Sequence, residues 1–346
     1  MVQKLMELTN LDGVSGDEQD VRNYILDNVK EKSLKYCIDS MGNLIVKCNS
    51  SGQNPLKVML AAHMDEVWFM IKDITEDGKL KFITAGGMDS RILPGQHVRI
   101  GADKVPGVIA QKSIHLQDRE ERESVVKLKN LYIDIGATDR KDAEKYVNIG
   151  DYAAFASEPV LFGENRLKAK ALDDRAGCVV LLELMERVWP FELYLCFTVQ
   201  EEVGLRGARI AANRVEPDIG IVIEGTTCAD VPGVKEHGQS TVLGKGPALS
   251  FADRTSIGDR ELLGHFVKTA QEEKIPYQWK QTATGGNDAG RIQTSGTGVK
   301  VITVSVPCRY IHSPVSVLNI NDLENMKNLV EKALGKLPSL EGGIKK

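Results

Sequence analysis

The chain has 346 residues, of which 42% are hydrophobic and 27% are charged, the balance of a globular enzyme with room for two domains. The formal net charge of −4 and the pI of about 6.0 argue against a nucleic-acid partner, which would require a basic face. No apolar run approaches the roughly 20 residues that span a membrane, and the N-terminus lacks the apolar core of a signal peptide. Six scattered cysteines without a CxxC pair favour reduced thiols, so we expect a cytoplasmic protein. Because no apolar run is long enough to span a membrane, we expect no membrane contact.

The N-terminal region is predicted to form a helix, a hairpin and a strand. Ser15 followed by Glu18 has the form of a capping box, and apolar residues recur at helical spacing after it, so residues 16–31 are predicted to be an amphipathic helix. The stretches 35–39 and 44–48 flank a Met-Gly-Asn turn and predict a hairpin. The apolar run that follows predicts a short strand over residues 57–62, which ends at His63.

The sequence changes character between residues 69 and 157. Short alternating stretches are separated by glycine and proline at positions 86–87, 94–95 and 106–107, and no long helical pattern is present. The segment 118–129 is densely charged and is expected at the surface. This region is predicted to be a small all-β domain inserted into the remainder of the chain.

From residue 167 onwards, predicted helices alternate with apolar strands. Strands that are apolar throughout and joined by helices indicate a parallel-rich sheet covered on both faces. We therefore predict an α/β fold with a mixed, mostly parallel sheet, in which residues 1–68 and 158–346 form one domain and residues 69–157 form an inserted β-barrel. The predicted helices are 174–188, 205–215, 260–274 and 319–334, and the predicted strands are 193–199, 219–223 and 300–306.

Acidic and imidazole side chains follow the predicted strands at several points. In an open α/β sheet, sites form at the carboxyl ends of the strands, so segments far apart in sequence converge there. Two histidines and three carboxylates are enough for two divalent ions if one carboxylate bridges them, and imidazole with carboxylate suits Zn, Co or Mn. The residues expected at this edge are His63, Asp65, Asp173, Asp174, Glu201, Glu202, Glu224 and His312.

Each of these residues also has a structural interpretation when it is considered alone. His63 could be a hydrogen-bonded core histidine, and the pair Asp173 and Asp174 could complement the dipole of a helix N-terminus. The adjacent pair Glu201 and Glu202 is harder to explain in that way. It directly follows an apolar strand, where two carboxylates are costly unless a cation offsets their charge. Taken together, the positions favour a metal site.

Six motifs occur in an order that resembles one known family. They are HMDEV at 63–67, LDDRAG at 172–177, QEEVGLRGA at 200–208, IEGT at 223–226, GGNDAGR at 285–291 and RYIHSP at 309–314. Together they resemble the tetrahedral aminopeptidases, the glutamyl and deblocking aminopeptidases of the co-catalytic metallopeptidase clan, of which some members are labelled endoglucanases. The resemblance covers essentially the whole chain. It implies a zinc-peptidase-like α/β domain and an inserted dimerisation domain that helps to build a tetrahedral dodecamer.

The resemblance also implies a ligand set for two divalent ions, Zn or Co, with Mn as a further candidate. Its members are His63 and Glu224 for one ion, Glu202 and His312 for the other, and Asp173 as the bridge between them. Glu201 would then be the general base, and Asp65 would orient His63. The sequence departs from the family pattern at two positions, because many relatives have Asp where Glu224 stands and commonly have Gly where Trp68 stands.

These residues imply hydrolysis of the N-terminal bond of short peptides. Water bound to a metal ion loses a proton far more readily than bulk water, and Glu201 can take that proton and pass it to the leaving amine. The second ion can hold a free α-amino group, which predicts an aminopeptidase.

A metal-dependent deacylase of the same clan is the nearest alternative. A glycosidase would need two carboxylates flanking the bond and no metal, and a non-catalytic scaffold would bind metal without turnover. The preferred N-terminal residue, acidic or apolar, is left open by the sequence.

Overall fold

The computed structural model describes residues 1–52 and 56–337. The capping box expected before the first long helix is wrong. That helix begins only after Glu18, whose side chain makes no capping hydrogen bond. Val14 is bridged to Glu66, which places Ser15 beside the loop after the third strand, where its hydroxyl donates to Asp65 instead. The N-terminal elements are α1 (Val2–Asn10), α2 (Gln19–Glu31), β1 (Lys35–Ile38), β2 (Leu44–Lys47) and β3 (Lys57–His63).

The next part of the chain contains a closed barrel of six antiparallel strands. Its core is apolar, and the ring of Phe69 packs edge-on against Phe82 and Phe155 at centroid distances of 5.3 and 5.0 Å. The charged segment 118–129 lies mostly exposed on its surface, as predicted. The barrel elements are β4 (Trp68–Ile74), β5 (Leu80–Ala85), β6 (His97–Ile100), β7 (Val105–Ala110), α3 (Arg119–Glu123), β8 (Tyr132–Asp134), α4 (Arg140–Ala143) and β9 (Tyr152–Phe155).

Strands and helices alternate after the barrel and complete the α/β part of the fold. Two strands run further than predicted, so Glu224 lies within its strand and not after it. The helix predicted to end at residue 188 ends at Leu184. The elements are β10 (Val160–Phe162), β11 (Arg166–Ala169), α5 (Leu172–Leu184), β12 (Glu192–Thr198), α6 (Arg206–Val215), β13 (Ile219–Thr227), β14 (Ala248–Leu249), α7 (Arg260–Glu272), β15 (Gln278–Trp279), α8 (Asp288–Gln293), β16 (Lys300–Arg309), β17 (Ser316–Asn319) and α9 (Ile320–Lys336).

Outside the barrel, the strands form one mixed sheet of 11 strands in the described part of the chain. At its centre β12, β3, β13 and β16 are parallel neighbours, and Thr198 at the end of β12 lies opposite His63 at the end of β3. Antiparallel strands flank this group on both sides. Because the four central strands run in one direction, their carboxyl ends meet at one edge of the sheet.

Helices cover both faces of the sheet. On one face α5 packs with α1, α2, α7 and α9 over a large apolar core. On the other face α6 and α8 pack closely because small residues meet there, among them Ala211 on α6 and Ala61 and Cys196 on the strands. The mixed, helix-covered sheet predicted from the sequence is therefore confirmed, with parallel pairing at its four central strands and between β14 and β15, and antiparallel pairing elsewhere. Among the described residues, no helix combines the length and apolar character needed to cross a bilayer.

Candidate metal centre

The residues predicted for a metal site meet at the carboxyl edge of the four parallel strands. His63 is the last residue of β3, and Glu202 comes shortly after β12. The strands therefore bring together side chains that are more than a hundred residues apart in sequence. They line a cavity of about 440 Å³, and the predicted residues in its wall are His63, Asp173, Glu201, Glu202, Glu224 and His312.

Asp173 lies between the two histidines. Its Oδ1 is 3.4 Å from His63 Nε2, and its Oδ2 is 3.5 Å from His312 Nε2. The same His312 nitrogen is 3.5 Å from Glu202 Oε1. Asp173 reaches this position because its backbone is not yet helical, so the regular part of α5 begins after it. Each carboxylate oxygen of Asp173 thus faces a different imidazole, which is the geometry that a bridging ligand requires.

The outer ring nitrogens of both histidines are held by backbone carbonyls. His63 Nδ1 lies 3.0 Å from the carbonyl oxygen of Asp65, and His312 Nδ1 lies 2.7 Å from that of Gly87. These contacts turn both Nε2 atoms toward Asp173, as is usual for metal-binding histidines. Gly87 belongs to the barrel segment after β5, where the sequence pattern indicates only a turn. The adjacent Gly86 also approaches the site, because a Cβ there would lie 3.2 Å from Glu202 Oε2.

Asp65 is fully buried and holds the loop that carries the two adjacent glutamates. It accepts hydrogen bonds from the backbone N–H groups of Glu201 at 2.9 Å and Glu202 at 3.1 Å. Ser15 Oγ donates to it at 2.6 Å, and its Oδ1 lies 3.5 Å from His63 Nδ1. Burial raises the pKa of Asp65, but the interactions with His63 and these donors outweigh it and lower the pKa. Asp65 is therefore an ionised support for the loop.

Burial and neighbouring charges shift the pKa values of the acidic groups and of His312 in the site. Burial raises the pKa of Glu202 to about 7 and that of Glu224 to about 8, and it raises the pKa of Glu201 well above its usual value. Burial lowers the pKa of His312, but its hydrogen bond to Asp173 and the charge of Glu202 outweigh this and raise the pKa to about 9. The buried acidic groups therefore lack a compensating positive charge, which a divalent cation would supply.

The donor atoms fit such a cation. Asp173, Glu202 and His312 offer one ligand atom each within 4.8 Å of one another. The Glu202 side chain is 5% exposed, and its buried Oε1 accepts no hydrogen bond from the described residues. An unsatisfied buried carboxylate oxygen that faces an imidazole is costly without a cation. Oxygen and imidazole donors suit Zn, Co or Mn.

Glu224 lies on β13 and is held from the opposite side of the cavity. Asn287 Nδ2 donates to its Oε1 at 3.1 Å, and Ser305 Oγ lies 3.4 Å from the same atom. Asn287 also accepts from the N–H of Ala289 and so caps α8. Asn287 therefore both lines the cavity and caps α8.

Asp174 and Trp68, like Asp65, are not among the described residues that line the cavity. Asp174 turns away from it and accepts hydrogen bonds from the N–H groups of His63 and Gly177, so it supports β3 and α5. Trp68 packs against Val14 and Ala154 at the base of the barrel, and it is not among the described residues that line the cavity. The departure at Trp68 therefore changes the junction with the barrel and not the cavity wall.

An α/β fold with an imidazole and carboxylate cluster at the carboxyl ends of its parallel strands is typical of metal-dependent hydrolases. The sequence profile described as M42 glutamyl aminopeptidase matches residues 42–329, and the chain belongs to this family. The aminopeptidase class predicted from the motifs is therefore confirmed.

Relatives and solved structures extend this assignment over the whole chain. The Lysyl aminopeptidase of Pyrococcus furiosus is 31% identical, and the alignment covers 95% of each chain. The structure of an aminopeptidase from Desulfurococcus kamchatkensis matches with a TM-score of 0.93 at 35% identity, over 100% of this chain and 98% of that one. The TET1 peptidase of Pyrococcus horikoshii, whose structure is described as assembling into a tetrahedron or an octahedral shell, matches with a TM-score of 0.84 at 35% identity, over 96% and 98%.

Proposed function

We propose that this chain is an aminopeptidase with two metal ions, which hydrolyses the N-terminal bond of short peptides. The observation that carries the proposal is the position of Asp173, whose two oxygens each face a different histidine. In this proposal His63 and Glu224 hold one ion, Glu202 and His312 hold the other, and Asp173 bridges them. Zn or Co is the expected metal, with Mn as a further candidate.

The remaining site residues divide the chemical work between proton transfer and support. Two bound ions would supply Lewis acidity, which acidifies the attacking water and stabilises the negative charge on the carbonyl oxygen. Glu201 lies in the cavity wall next to the ligand Glu202, and it takes the proton of the attacking water and gives it to the leaving amine. Asp65 holds Glu201 through its backbone N–H and keeps His63 in its orientation.

A comparison of free and N-acetylated substrates tests the proposed function. Purified protein loaded in turn with Zn, Co and Mn is assayed on aminoacyl-anilides and on their N-acetyl forms. An aminopeptidase requires the free amine, so acetylation is expected to abolish cleavage. Equal or faster cleavage of the acetylated substrates would instead favour a deacylase, and no cleavage with any metal would leave the proposal without support.

Ser15 is expected to act as a positioning residue for Asp65. Ser15→Ala removes a hydrogen bond to an ionised group, which typically contributes about 1.5–3 kcal/mol, so we expect kcat to fall by about tenfold to a hundredfold with the metals still bound. Ser15→Thr keeps the hydroxyl and should recover most of the rate. Ser90, which donates to the Val126 carbonyl on the barrel, provides a matched control in Ser90→Ala. If Ser15→Ala keeps the wild-type kcat, the N–H groups of Glu201 and Glu202 hold Asp65 without help from Ser15, and the prediction is wrong.

The proposal extends to the domains and the assembly. Residues 1–68 and 158–346, of which 53–55 and 338–346 lie outside the described residues, would form the catalytic domain. Residues 69–157 would form a dimerisation domain of a tetrahedral dodecamer in the cytoplasm. Two observations support this arrangement. The barrel segment supplies the Gly87 carbonyl that holds His312, and exposed apolar side chains of Ile114, Leu116 and Val125 lie on the barrel surface. The TET1 peptidase relative is described as forming such shells.

Sedimentation tests the assembly. The intact protein is expected to sediment as a large particle, close to a dodecamer, at micromolar concentration. A deletion that joins Val67 to Pro159 through a short linker should give much smaller species. It should also lower activity, because His312 loses the Gly87 carbonyl. A monomeric intact protein would contradict the dodecamer and the dimerisation role of the barrel.

A further inference from the structure

Four consecutive backbone N–H groups, those of residues 199–202, follow the end of β12, and each of them donates to a side chain from another part of the chain. The first donates to Asn43 Oδ1 at 3.0 Å, and the second donates to Glu18 Oε1 at 3.1 Å. The last two donate to Asp65. All three acceptor residues are almost completely buried. The loop that carries Glu201 is therefore held by buried side chains after it leaves the sheet.

Glu18 contacts this loop at Gln200, the residue where the chain turns out of the sheet. Gln200 has a φ of 56°, in the left-handed region that a residue with a side chain adopts only at a cost in energy. Glu18 Oε1 also accepts from the N–H of Gly16 at 2.8 Å, which fixes the carboxylate in place. The carbonyl of Gln200 accepts from the N–H of Arg206 at 3.2 Å. Gln200 is therefore held in its left-handed conformation through both its N–H and its carbonyl.

The side chain of Glu18 does not serve the helix that follows it. Glu18 is the N-cap residue of α2, but its side chain makes no capping hydrogen bond. Burial raises the pKa of Glu18 to about 7, and the hydrogen bonds from the N–H groups of Gly16 and Gln200 oppose that rise. A carboxyl group is costly to bury unless its hydrogen bonds compensate, and one of these two bonds goes to the loop. The contact of Glu18 with Gln200 is therefore the one that links α2 to the site.

We infer that Glu18 is a positioning residue for Glu201, and that it acts by keeping Gln200 in the left-handed conformation. The inference rests on the proposed function, in which Glu201 transfers the proton. Because Glu201 directly follows Gln200, a change of φ at Gln200 would displace the Glu201 carboxylate from its place in the cavity wall. Proton transfer requires hydrogen-bond reach, and a displacement of about 1 Å can lower a rate by about 10²-fold.

A double-mutant cycle on the full-length, metal-loaded protein tests the inference. The kcat, KM and metal content of the wild type, Glu18→Ala, Gln200→Gly and the double variant are measured with the aminoacyl-anilide that the wild type cleaves best. Glu18→Ala is expected to lower kcat by about 10–100-fold, with KM and metal content close to those of the wild type. Glycine adopts the left-handed conformation without steric cost, so Gln200→Gly should raise the kcat of Glu18→Ala by about tenfold. In the wild type, where Glu18 already holds this conformation, the same substitution should not raise kcat.

Asp259→Ala is the matched control for the loss of two backbone hydrogen bonds. Asp259 Oδ1 also accepts from two N–H groups, those of Glu261 at 3.1 Å and Leu262 at 3.0 Å, and Asp259 is not among the described residues that line the cavity. This variant should lose stability in urea unfolding and keep the wild-type kcat. If Glu18→Ala does not fold, Glu18→Gln replaces it, because the amide keeps the shape and one acceptor oxygen. It should lose a smaller part of kcat, which Gln200→Gly should again restore.

The outcomes separate this inference from the function on which it rests. If the metal-loaded wild type cleaves no aminoacyl-anilide, the proposed aminopeptidase function fails and the inference fails with it. If the wild type is active and Glu18→Ala keeps its kcat, only the inference is wrong. It is also wrong if Gln200→Gly restores no activity to Glu18→Ala, if Glu18→Ala loses metal, or if Asp259→Ala lowers kcat to the same extent. In each of those cases Glu18 does not act by fixing the conformation of Gln200.

Discussion

Asp173→Ala is expected to remove the metal of both sites at once. In the structure each carboxylate oxygen of Asp173 faces a separate imidazole, so one substitution takes a ligand from each ion. It would also leave two like-charged ions without the anion that offsets their repulsion. Loss of a residue that merely supports a ligand costs about 10–100-fold in metal affinity, and loss of a shared ligand should exceed that range. Elemental analysis of dialysed protein measures the result.

Two further variants decide what a loss of metal would mean. Asp173→Asn keeps the shape and can still accept the hydrogen bond from the Gly225 N–H, so it separates the charge from the fold. Asp322→Asn alters a buried aspartate far from the site, which binds the N–H groups of Gly244 and Gly246, and it should retain both ions. If Asp173→Ala kept full occupancy, the bridging role would be wrong. If it lost a single ion, Asp173 would be an ordinary ligand of one metal.

The central sheet and the cluster at its edge could be predicted from local sequence patterns. Runs such as 193–199 and 219–223 are apolar at every position, which indicates strands buried on both faces. Parallel strands with helical crossovers must have their carboxyl ends on one side. Polar residues that follow several such runs are therefore neighbours in space, as His63 and Glu202 are here.

The supports of the site could not be predicted in the same way. Ser15 looked like the start of a capping box, because the pattern Ser-x-x-Glu is local, whereas its true partner Asp65 is 50 residues away. The Gly87 carbonyl that holds His312 is a backbone atom, so no residue type marks its role. Contacts of this kind depend on how the barrel and the sheet meet, and that geometry has no local sequence signal.

A buried ionic network beneath the site was missed for a related reason. Lys170, Glu66 and Arg175 are almost completely buried, and Glu66 is 2.6 Å from Lys170 and 3.2 Å from Arg175. Lys170 and Arg175 also donate to the Leu11 carbonyl, which fixes the N-terminal segment against the loop after β3. Buried charges are rare unless they are paired, so the sequence alone favours placing each of them at the surface.

Glu201→Gln is expected to leave the fold and the metals in place and to remove most of the turnover. Glutamine is nearly isosteric, and the backbone N–H of this residue would still donate to Asp65. An amide cannot accept the proton of the attacking water, and it cannot return a proton to the leaving amine. General acid–base catalysis contributes roughly 10²–10⁴ in rate, and one residue here serves both steps, so the loss should approach the upper end. It should fall on kcat more than on KM, because the proton moves in the transition state.

Glu202→Gln gives the internal control, because the adjacent residue shares the same loop and the same support from Asp65. Glu202 is proposed as a ligand, and its buried Oε1 faces His312 at 3.5 Å. An amide there weakens metal binding, so excess Zn or Co should restore part of the activity. The same excess should not rescue Glu201→Gln, which lacks a proton acceptor and not a metal. Rescue of Glu201→Gln alone would mean that the two roles are reversed. Near-normal rates in both variants would contradict the whole mechanism, since neither proton transfer nor a second ion would then depend on this pair.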